Sequence, residues 1–98
     1  MNLNEEQLKE HLNEVEELAG LFFSPEDIAV NLELNEEDTE YIVAAVDGNF
    51  TNNPFVAAYI KGRLSTEIEL RKAIRQSAMN GSSPSQQMML NYLKESRK

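Results

Sequence analysis

Four basic side chains, Lys61, Arg71, Lys72 and Arg75, fall within a sector of about 100° when the chain around them is wound as a helix. Such a stripe is suited to neutralising several phosphates or to meeting a partner's carboxylates. Lys94, Arg97 and Lys98 add three cations at the end of the sequence. Arg63 points away from the stripe, and Glu67 stands four residues before Arg71, the spacing of an intrahelical ion pair. Other chemistry is short of parts. With no cysteine and a single histidine, the chain lacks thiolate ligands and disulfides and has no imidazole set for a metal. His11 lies on the Leu8/Leu12 side of a helical pattern, where an ordinary half-buried histidine is expected. Carboxylates crowd the first forty residues, but on the polar faces of amphipathic helices, away from the concave apolar setting a catalytic acid–base pair requires. The residues therefore point to a non-enzymatic protein with no catalytic residue, metal, cofactor or small-molecule substrate.

The cations stand apart from the acids. Residues 1–50 hold fourteen acids and one base, Lys9, for a net of −13; residues 51–98 hold three acids and eight bases, for a net of +5. The total of −8 hides an electrical dipole. A chain so divided can offer a basic face to nucleic acid, or set its acidic half against a neighbour's basic half. At 98 residues and 41% hydrophobic content it suits one small domain near the lower size limit for a self-sufficient core, which favours self-association. No apolar run approaches a membrane span, and the first twenty residues are acidic where a signal peptide would be basic and then apolar. A cytoplasmic protein is expected.

The elements that must position these residues are helices. Each proline follows a residue able to cap a helix, in Ser24-Pro25, Asn53-Pro54 and Ser83-Pro84. Ahead of them Leu8, Leu12, Val15, Ala19 and Phe22 recur at helical spacing, which predicts a first helix from about Asn4 to Ala19, ended by Gly20. Leu21-Phe22-Phe23 is expected to lead into the core. A short second helix turns Ile28, Ala29 and Leu32 inward. Asn35 caps a third, with Asp38 three residues on, Thr39, Ile42, Val43 and Val46 along one face, and Gly48-Asn49 at its end. After a polar loop at 49–53, one long helix runs from Pro54 to Asn80 with Gly62 as its weak point. Its apolar residues keep to no single stripe, so its two halves are expected to pack on different partners. Asn80-Gly81 stops it, and a last helix carries Met88, Met89, Tyr92 and Leu93. The fold class is all-α: a helix-turn-helix-like unit over residues 1–48, a loop at 49–53, and a long basic helix with a short C-terminal helix over 54–98.

The helix-turn-helix outline, Ser24 to Val46, raises DNA binding directly. Its turn places Glu33 where glycine is usual, so either the turn has another shape or strain is accepted. Glu36, Glu37 and Asp38 are explained by the first turn of a helix, where exposed amides favour negative charge. The same acids, with Glu40 and Asp47, oppose entry into a DNA groove.

From Ala58 onward the run AYIKGRLSTEIELRKAIRQSAMNGSSPSQQMMLNYLKESRK resembles the second half of phage and prophage terminase small subunits. The resemblance rests on Tyr59 with Gly62-Arg63 opening a long helix, Ala78 and Gly81 ending it, and Tyr92-Leu93-Lys94 with Arg97 in the last. With Ile28-Ala29-Leu32-Leu34 before it, it covers roughly residues 18–98. It implies a non-enzymatic DNA-packaging component that assembles as a homo-oligomer, typically a ring, binds double-stranded DNA and hands it to a large terminase ATPase-nuclease subunit. Lys61, Arg71, Lys72, Arg75, Lys94, Arg97 and Lys98 are the nucleic-acid contacts the sequence offers. Two other readings are a helix-turn-helix transcriptional regulator and a protein-interaction module that binds no DNA.

Overall fold

Side-chain caps fix where the helices begin. In the computed structural model, which describes the backbone of residues 5–96 and the side chains of residues 10–96, the order is α1 (Glu5–Gly20), α2 (Pro25–Asn31), α3 (Glu36–Asp47), α4 (Pro54–Met79) and α5 (Ser83–Ser96). The described residues contain no strand, and the fold is all-α. The expected start at Asn4 and the inward side chain of Leu8 lie outside the described residues. Ser24 Oγ accepts the Asp27 amide at 3.2 Å and Asn35 Oδ1 the Asp38 amide at 2.7 Å. Asn53 Oδ1 accepts from Phe55 and Val56 at 2.9 and 3.4 Å. The fourth cap is Ser82 rather than Ser83: its Oγ accepts the Ser85 amide at 3.4 Å and its carbonyl the Gln86 amide at 3.0 Å. Pro84 is thus the second helical residue, still within the first turn, where no amide has a helical acceptor to lose.

Four helix ends repeat one pair of hydrogen bonds, which closes the last turn over a left-handed residue. Phe23 donates to Leu18 O and Phe22 to Ala19 O; Leu34 donates to Ala29 O and Glu33 to Val30 O. Phe50 with Asn49, and Ser82 with Gly81, do the same at the ends of α3 and α4. The left-handed residues are Phe22 (φ 67°), Glu33 (58°), Asn49 (55°) and Gly81 (97°). Glu33 therefore takes the left-handed backbone despite its side chain. Gly20 is the last helical residue of α1, and the reversal falls on Phe22.

The chain divides into two compact units, Met1–Thr66 and Glu67–Lys98, with α4 contributing to both and the 49–53 loop inside the first. In the first unit Val15 and Ala19 of α1, Ile28 and Leu32 at α2, Ile42 of α3 and Phe55 of α4 form the buried cluster, flanked by Leu12, Leu18, Leu34, Ala58 and Tyr59. The inward face expected of α2 is observed; on α3 Ile42 is buried with Ala45, while Thr39, Val43 and Val46 are half-buried, and α2 and α3 pack on one another across the Glu33 turn. Leu21, Phe22 and Phe23 do not enter the core. They are 64%, 50% and 45% exposed, because the left-handed step at Phe22 turns the connection outward. α4 is continuous through Gly62, and a Cβ there would collide with the backbone carbonyl of Glu16, so the missing side chain lets α1 and α4 touch backbone to backbone. Gly20 lies at the same crossing, where an added Cβ would stand 2.9 Å from Thr66 Oγ1.

In the second unit α5 returns along α4, with Gln86 Nε2 donating to Ala78 O at 3.1 Å. Among its described residues Ile74 alone is a buried apolar side chain; Ile68, Leu70, Met79, Leu90 and Leu93 stay exposed. Within this unit two helices have no third helix to cover their flanks.

Candidate functional site

The second unit gathers three of the expected cations. Arg71, Lys72 and Arg75 on α4 border a shallow groove of ≈ 230 Å³ whose apolar walls are Ile68 and Met89. The three are not equivalent. The Arg71 guanidinium lies 3.8 Å from the centroid of the Tyr92 ring and donates from Nη2 to Glu67 Oε1 at 2.7 Å. A planar cation fixed by both an aromatic face and a carboxylate holds α5 to α4. Its Nε is buried without a hydrogen-bond partner, a further sign that the group is seated for packing. Lys72 reaches Glu69 Oε1 at 3.4 Å with both side chains well exposed, a pair worth roughly 0–1 kcal/mol and readily exchanged for a phosphate. Arg75 is exposed and forms no ion pair among the described residues.

The other expected cations fall elsewhere. Lys61 belongs to the first unit and approaches Glu16 Oε1 at 3.8 Å, again an exposed and weak pair. Lys94 is exposed in the last turn of α5, where the carbonyl end of the helix favours a cation. Arg97 and Lys98 lie outside the described residues. Arg63 proves structural: its guanidinium lies 5.4 Å from the Phe22 ring centroid and 5.1 Å from that of Tyr59, and Nη2 donates to Phe23 O at 3.5 Å. It thereby anchors the outward connection between α1 and α2.

Sequence reasoning named the Glu67–Arg71 pair but missed Tyr92, Met89 and Ile68 as the surroundings of these cations. Helical spacing relates Glu67 to Arg71; nothing local relates Arg71 to a ring twenty-one residues on.

The first unit presents the opposite charge. On α3 the exposed side chains are Glu36, Glu37, Glu40, Tyr41, Ala44 and Asp47. Beside them Tyr41, Ala44, Phe50, Asn52, Asn53 and Pro54 surround an open groove of ≈ 480 Å³, where Asn53 Nδ2 donates to the Tyr41 hydroxyl at 3.2 Å. The core holds a void of ≈ 10 Å³ among apolar side chains, too small for a ligand. His11 is half-buried on α1, and among the described residues no three His, Asp or Glu side chains gather as a metal would require. No helix among them is long and apolar enough to cross a membrane. Compared with family models, with curated proteins and with solved structures, the chain matches none.

Proposed function

We propose that this chain is a small-terminase-like DNA-packaging adaptor of the cytoplasm: a non-enzymatic, oligomeric protein that holds double-stranded DNA through the basic groove of its second unit. The observation that carries the reading is the division of charge between the units. Residues 1–66 hold fourteen acids against three bases, a net of −11, and residues 67–98 hold three acids against six bases, a net of +3. Phosphates are repelled from one unit and drawn to the other. Within the second unit Lys72, Arg75 and Lys94 are the described cations able to turn to phosphate, with Arg97 and Lys98 beside them in sequence, while Arg71 positions the helices. The exposed acids of α3 disfavour a transcriptional regulator that reads a groove with that helix. The family resemblance adds a large ATPase-nuclease subunit as the partner receiving the DNA.

Fluorescence anisotropy with a mixed-sequence duplex tests this. Binding is expected to weaken with salt on a log–log slope of about −3 to −4, and Lys72→Gln and Arg75→Gln each to flatten it by about one. A wild-type chain that ignores the duplex even at low salt sinks the DNA-binding role. What then stands is the second reading, a protein-interaction module, favoured by the many large apolar side chains left on the surface and by cations already facing Glu16, Glu67 and Glu69.

A further inference from the structure

Leu18, Phe23 and Val30 line an open groove of ≈ 240 Å³ on the first unit, with Asp27 and Asn31 at its rim. Val30 is 74% exposed, an apolar side chain standing in water on the outer face of α2. The rim is acidic: Asp27 is exposed, with the exposed Glu26 beside it in sequence, and Asn31 Nδ2 donates to Glu14 Oε2 at 3.3 Å, holding a further carboxylate nearby. Among the described residues neither Lys61, which faces Glu16, nor Arg63, which donates to Phe23 O beside the groove, forms an ion pair with these carboxylates. An apolar floor with an acidic rim calls for an amphipathic segment that carries a cation.

α5 is such a segment. Leu90, Leu93 and Lys94, at the i, i+3, i+4 spacing of a helix anchored in a groove, are all exposed; Lys94 lies opposite the half-buried Ser85, Met89 and Tyr92, and Leu93 and Leu90 follow one another around the helix from Met89 to Lys94. We propose that a second copy of this chain covers the groove, its α5 lying with Leu90 and Leu93 over Val30 and Phe23 and with Lys94 toward Asp27. Charge selects this occupant: a first unit at −11 repels another first unit and attracts a second unit at +3. Groove and helix are different surfaces, so the contact is heterologous. Every copy offers one of each, and assembly continues until a ring closes or a filament forms.

This inference rests on the assembly half of the proposed function and is independent of the nucleic-acid half, so it is tested without DNA. Sedimentation velocity of the full chain across the micromolar range is expected to show concentration-dependent self-association. Val30→Glu and Leu90→Glu, both at exposed positions and checked by circular dichroism for unchanged helix content, are each expected to weaken it roughly tenfold or more. Asp27→Lys and Lys94→Glu are each expected to weaken it, and the double variant, which restores opposite charges across every contact, to recover it. A symmetric pairing of second units would be indifferent to Val30→Glu and Asp27→Lys. That indifference, or a wild-type chain that stays monomeric, overturns the proposal.

Discussion

A methyl group at residue 62 would fall on the carbonyl of Glu16, and this decides the sign of the simplest substitution in α4. Alanine is favoured over glycine inside a helix by about 1 kcal/mol. Forcing two backbones apart costs about 1–3 kcal/mol, and here the larger value applies because neither backbone is a flexible side-chain end. Gly62→Ala is expected to lower stability by about 2 kcal/mol and the melting temperature by about 10 °C; a melt within a degree of wild type would remove the close crossing from the account. The sequence marks this glycine but not its purpose, because a helix interior shows a weak point whether or not another helix lies against it. Phe22 misleads in the same way. Its spacing continues the α1 stripe, yet its positive φ puts the ring outside, under Arg63. Arg71 was half legible: Glu67 follows from periodicity, and Tyr92 belongs to a helix that only the turn at Gly81 brings back.

Among the elements, beginnings were easier to read than ends. Ser24, Asn35 and Asn53 cap through their own side chains within three residues, a local interaction that sequence displays. The shift from Ser83 to Ser82 is small because two neighbouring serines offer the same group. Ends depend on a backbone conformation, and Phe22, Glu33 and Asn49 adopt it without being glycine. A left-handed residue with a Cβ costs about 1–2 kcal/mol, part of which glycine returns as lost freedom in the unfolded chain. Glu33 is exposed, so Glu33→Gly removes strain without uncovering a core. The variant is expected to gain about 0.5–1 kcal/mol, read as a rise of about 4 °C in a thermal melt. A fall would show that the glutamate side chain contributes more to the α2–α3 turn than its backbone costs.

At the scale of the whole molecule, fourteen acids on the first unit push against one another, while its exposed ion pair Lys61–Glu16 is worth at most about 1 kcal/mol. Screening should therefore help more than it harms. Raising sodium chloride from about 10 mM to about 0.3 M is expected to raise the melting temperature by several degrees; a flat or falling curve would mean that attractive pairs outweigh the repulsion. The segregation of charge was fully legible from composition, whereas the division inside α4 was not, because an uninterrupted helix carries no mark where its packing partners change. The crossing at Gly62 also bears on how the protein is made. α1 leaves the ribosome before α4, and the backbone it touches most closely arrives forty-six residues later, so until α4 emerges the face of α1 that carries Val15 and Ala19 is only partly covered. During that interval the apolar face stands on a segment rich in glutamate, whose like charge disfavours association with another such segment.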